Sequence, residues 1–89
     1  SFFGNPESVR PIDELAREFA GQLERMTKAP QNSPQIARDL DSVSTKWRYI
    51  EKSLRNYNQN SVPFLVNKYS DSIIEELETV AQQYAVANL

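Results

Sequence analysis

Ser42 and Lys46 stand four residues apart in the stretch SVSTK, and Glu75 and Glu78 stand three apart in EELE. Those are spacings at which helical side chains share a face. A serine beside a lysine could supply a nucleophile with an amine base. Two carboxylates on one face could bind a hard cation through oxygen. Neither pair comes with the rest of its machinery. No oxyanion donors accompany Ser42, and no Asp-x-Asp-x-Asp-Gly loop accompanies the glutamates. The plainer reading is a pair of solvated helix faces, with Leu77 alone of its run turned toward a core. The chain has no histidine and no cysteine, which removes the usual general base, the commonest metal ligand, disulfides and thiolate metal sites. Neither of the two glycines has a phosphate-loop or dinucleotide context. The expectation is a protein that is not an enzyme, with no cofactor and no metal site.

Bulk properties narrow the partners. Eighty-nine residues make one domain with a single core, here taken as residues 1–89. The formal charge of -2 and the pI of about 5.0 argue against nucleic acid, which needs a concentrated basic face. The ten Lys and Arg residues are scattered and form no run suited to an anionic membrane surface. No apolar run approaches the roughly 20 residues of a membrane span, so no direct membrane insertion is expected. The opening SFFGNPE lacks an initiating Met and a signal peptide, and is read as the start of a processed protein or an excised domain.

The elements that would position any site follow from prolines and periodicity. Prolines at 6, 11, 30, 34 and 63 divide the chain into three segments. The first runs from about Ser8 to Lys28, with Ser8 as a cap and Pro11 in the first turn. Its stripe is Ile12, Leu15, Phe19, Leu23 and Met26. Gly21 either weakens it, by up to about 1 kcal/mol against alanine, or permits close helix approach. The turn APQNSP ends in Ser33 as N-cap and Pro34 at the first helical position. The second segment, 34 to about Tyr57, carries Ile36, Leu40, Val43, Trp47, Ile50, Leu54 and Tyr57 at alternating spacings of four and three. This unbroken a/d heptad seats Trp47, the only tryptophan, facing inward. The third segment, about Val62 to Ala87 with Ser61 as cap, carries a stripe of Val62, Val66, Tyr69, Ile73, Leu77, Val80, Tyr84 and Ala87. Leu65, Ile74 and Ala81 widen that stripe on one flank. No segment alternates with period two. The fold class is therefore all-α, an antiparallel up-down-up three-helix bundle with long helices and a rod-like shape.

Aromatic residues are spread over all three segments. Core rings with hydroxyls reaching the bundle surface account for most of them. The functional alternative is a groove between helices, where bundles commonly bind ligands. Its candidate residues are Trp47, Tyr57, Tyr69, Tyr84 and Arg48. Arg25, Arg38 and Arg55 could likewise meet an anionic ligand or make surface ion pairs.

The order of these features, FAGQLERMTKAPQNSPQIARDLDSVSTKW followed by VPFLVNKYSDSIIEELETVAQQY, resembles the PilJ-like N-terminal sensor region of type IV pili methyl-accepting chemotaxis transducers, which is akin to NarX-type helical sensors. The shared pattern is a Phe–Leu helix (Phe19, Leu23), a proline-marked turn, a helix with a central Trp47, and a last helix with Val66, Ile73, Val80 and Tyr84. It covers roughly Phe19 to Tyr84. The stretch AGQLERMTK only echoes the family's Ala-Gly…Arg-Met…Ser-Gln segment, so no ligand residue is carried over. The resemblance implies a periplasmic or extracytoplasmic bundle for sensing and signal transduction, lacking the first helix of the usual four. Such a domain would bind a small ligand or partner protein and pass a helix shift to a membrane segment. A homodimer would supply a fourth helix. The competing expectation is a non-catalytic protein-interaction bundle of secretion or adaptor type, with no small ligand.

Overall fold

The computed structural model describes residues 6–56 and 61–88, with side chains from residue 14 onward. Three helices follow in order: α1 (Pro6–Thr27), α2 (Pro34–Arg55) and α3 (Ser61–Ala87). The protein is an all-α three-helix bundle, and the described residues contain no strand. It measures 50 × 23 × 16 Å with a radius of gyration of 14.9 Å. A compact chain of this length would have a radius of about 12 Å, so the molecule is elongated.

The first helix starts two residues before the expected Ser8. Pro6 takes the place at its start, where a missing N–H costs nothing, and Ser8 and Pro11 lie inside it. The second helix begins as the sequence dictates. Ser33 is extended (φ -72°, ψ 164°) and its Oγ accepts from the Ile36 N–H at 3.1 Å, with Pro34 following. At the far end the Asn56 N–H donates to the Lys52 carbonyl at 3.1 Å. Tyr57, the last residue of the expected heptad, lies outside the described residues.

Asn32 fixes the first turn. Its amide donates to the Met26 carbonyl at 2.7 Å, and its carbonyl oxygen accepts from the Tyr84 hydroxyl. One side chain thus ties the end of α1, the turn and the end of α3.

The core is Leu23, Ile36, Leu40, Val43, Ile50, Ile73 and Val80. Leu40, Val43 and Val80 are wholly buried. Phe19, Met26, Leu54, Leu65, Tyr69, Leu77 and Tyr84 pack around them. The middle helix is central: α1 and α3 each pack on it, and no Cα of α1 comes within 8 Å of α3 among the described residues. This arrangement leaves part of the predicted stripes uncovered. Leu15 is 65% exposed and Val66 43% exposed, because each lies on an outer helix covered by α2 alone. Gly21 serves no close approach. A Cβ there would meet only the Arg25 guanidinium, at 3.5 Å.

Candidate functional site

The a/d stripe of α2 has two flanks, and they behave differently. One residue before each stripe position from Leu40 to Leu54 come Asp39, Ser42, Lys46, Tyr49 and Ser53, and this flank meets α3. Gln83 donates to Asp39 at 3.3 Å, Ser42 donates to Glu76 at 3.0 Å, and Ser61 donates to Ser53 at 3.1 Å. Tyr49 stacks on Tyr69 with ring centroids 6.0 Å apart and planes inclined by 16°. The α3 numbers fall as the α2 numbers rise, so the two helices are antiparallel.

The centre of this ladder is Glu76. Its Oε1 accepts from Lys46, which also donates to Ser72, while Ser72 and Ser42 donate to that same oxygen at 3.2 and 3.0 Å. Burial pushes the Glu76 carboxyl up. The hydrogen bonds from Lys46 and Ser42, the Lys46 charge and the Ser72 hydroxyl outweigh that and hold it below the usual 4.5. The Ser42–Lys46 pair is therefore not arranged as nucleophile and base. The ammonium donates to a carboxylate and has no lone pair to offer a hydroxyl. Nor does Leu77 alone of the EELE run turn inward. Glu75 and Glu78 are exposed, but Glu76 between them faces α2. Sequence reasoning passed over Glu76, although it falls three residues after Ile73 and four before Val80, on the buried side of α3.

The other flank of α2, one residue after each stripe position from Ile36 to Ile50, is Ala37, Asp41, Ser44, Arg48 and Glu51. It borders a groove of about 460 Å³ whose opposite wall is Ala20, Leu23, Glu24 and Thr27 of α1. The groove exists because Ala20, Ala37 and Ser44 are too small to fill the space between two helices. Trp47 forms part of its lining. A second, more apolar hollow of about 470 Å³ lies beside Leu15, Phe19, Trp47 and Leu54. The indole thus borders both hollows and packs on Phe19, with centroids 4.6 Å apart and planes at 54°. Trp47 is half-buried rather than sealed in the core. Its Nε1–H is shut away from solvent with no acceptor. Such an unmet donor costs about 1–3 kcal/mol.

Of the five candidate groove residues, the four that are described do not converge. Trp47 and Arg48 border the α1–α2 groove. Tyr69 stacks on Tyr49 at the α2–α3 contact, and Tyr84 holds Asn32 at the bundle end. Tyr57 is outside the described residues. The split arises because α2 offers a different flank to each neighbour. In the groove, Glu24 is paired with Lys28 at 2.8 Å and Glu51 with Arg55 at 3.2 Å. Asp41 and Arg48 make no ion pair among the described residues, and neither do Arg25 and Arg38.

Among the described residues no three acidic side chains converge as a metal would require, and no helix is long and apolar enough to cross a membrane. Searches of family models, curated proteins and solved structures found no match to this chain.

Proposed function

We propose that the chain is a helical sensory or signalling domain of the extracytoplasmic, PilJ-like kind, which takes a small ligand or a partner segment in the α1–α2 groove and passes on a shift of α1. The observation that carries this reading is the unequal attachment of the outer helices. Among the described residues a ladder of hydrogen bonds joins α3 to α2, whereas α1 rests on α2 through apolar contacts beside an open groove. A groove of about 460 Å³ is within the usual range for small-molecule sites. A helix held this loosely can move against a fixed pair, which is what a two-state element requires.

Trp47 is the built-in reporter, since it is the only tryptophan and borders both hollows. Its fluorescence is followed while a panel of small anions and amphiphiles is titrated, with molar mass measured by light scattering on the same samples. The sensor reading expects a saturable change with one compound class at constant mass. A spectrum indifferent to every compound, together with self-association or binding of a partner helix, would favour the protein-interaction bundle instead.

A further inference from the structure

We propose that the outward face of α3 docks an amphipathic helix of a partner protein whose apolar stripe is bordered by Lys or Arg. The face begins with Val66, Ser70, Ile74, Leu77 and Ala81, at spacings of four, four, three and four. That periodicity makes a continuous strip along the helix. Val66 is 43% exposed and Ile74 53% exposed, while Leu77 is half-buried and continues the strip into the core. Asp71, Glu75 and Glu78 each follow a strip residue by one position, so they form an acidic row along its edge. All three are exposed, and none makes an ion pair among the described residues.

The charge selects the occupant. Lys68 is the only basic residue of α3, and its ammonium lies over the Phe64 and Tyr69 rings at 5.9 and 5.3 Å. Glu76, the remaining acid of the helix, is already paired with Lys46. The edge of the strip is therefore negative and uncompensated. A second copy of the chain docked through the same face would bring one acidic row to another, and an anionic membrane would be repelled likewise. A helix with an apolar stripe and a basic border satisfies both the exposed Ile74 and the row beside it. This surface lies on α3 and is independent of what the α1–α2 groove binds.

The test uses two synthetic helical peptides with the same leucine stripe, one bordered by lysine and one by glutamate, each labelled for fluorescence anisotropy. The whole chain is compared with Ile74→Lys and with the triple variant Asp71→Gln, Glu75→Gln, Glu78→Gln. These side chains are exposed, and circular dichroism checks that each variant keeps its helices. The expected result is saturable binding of the lysine peptide that weakens with salt, and no binding of the glutamate peptide. The triple variant should lose roughly tenfold in affinity, the sum of three surface charge pairs. Ile74→Lys should lose more. Equal binding of both peptides, no saturable binding of either, or a dimer of the chain that Ile74→Lys abolishes would each overturn the proposal.

Discussion

The two sides of α2 differ in how they hold their neighbours. The α3 side is built from residues that reach across: Asp39, Ser42, Lys46, Tyr49 and Ser53 each find a partner on α3. The α1 side is built from small residues and from charges that have no ion-pair partner on α1 among the described residues. Ala37 and Ser44 leave space, while Glu51 turns to Arg55. Both sides share one apolar stripe, so burial alone does not distinguish them. Directional bonds do. They set the register of α3, whereas among the described residues α1 is held by the fit of Phe19, Leu23 and Met26 against α2 and, at its end, by the Asn32 amide on the Met26 carbonyl. Apolar contact is nearly indifferent to small slides, whereas a hydrogen bond weakens steeply with angle and distance.

The comparison can be broken first at the residue both sides share. Leu40 is wholly buried. Leu40→Ala should cost about 3–4 kcal/mol in urea unfolding, through lost transfer energy and a cavity. In the unaltered protein, amide exchange should be faster in α1 than in the matching turns of α3, since α1 can open without breaking the ladder. Equal protection of the two outer helices would end the distinction drawn between them.

Trp47→Ala comes next. A fully buried tryptophan would cost about 3–5 kcal/mol, but this ring is half-buried and its Nε1–H is unmet, so about 2–3 kcal/mol is expected. The loss should fall mainly on α1, as enhanced exchange there with α3 little changed.

Glu76 tests the other side. Glu76→Gln should cost about 1–2 kcal/mol at neutral pH by removing charge-assisted hydrogen bonds. Its carboxyl is held below 4.5 in the folded protein. The contribution is therefore fully present above the unfolded value and is lost as pH falls from about 4.5 through the lower folded value. Urea midpoints measured from neutral to acid pH should show that loss in the parent. The component due to this group should be missing in Glu76→Gln.

Gly21→Ala should stabilise the protein by about 0.5–1 kcal/mol, because the site is helical and the added methyl meets only the Arg25 guanidinium. It should also slow exchange in α1, which narrows the gap between the outer helices. The smallest effect belongs to Glu75→Gln. The side chain is exposed and makes no ion pair among the described residues, so stability should change by no more than about 0.5 kcal/mol, and a large loss would reopen the question of a bound cation.

The helices and the turn before α2 are legible in local sequence signals. Prolines and caps are local, and Ser33 with Pro34 specifies a helix start whatever lies nearby. The heptad of α2 was equally legible, because burial of one face imposes a period that needs no knowledge of the neighbour. Tertiary structure alone decided which flank of that heptad met which helix. The Ser42–Lys46 spacing read as a possible dyad from one strand of text; only the arrival of Glu76 and Ser72 from α3 made it half of an ion-pair cluster. The candidate aromatics share only their chemical type, and packing separates Tyr69 and Tyr84 from Trp47 because α2 turns opposite flanks to its two neighbours. Periodicity records that a face is covered. What covers it depends on contacts between residues far apart in the chain, and those also decided where the groove was left open.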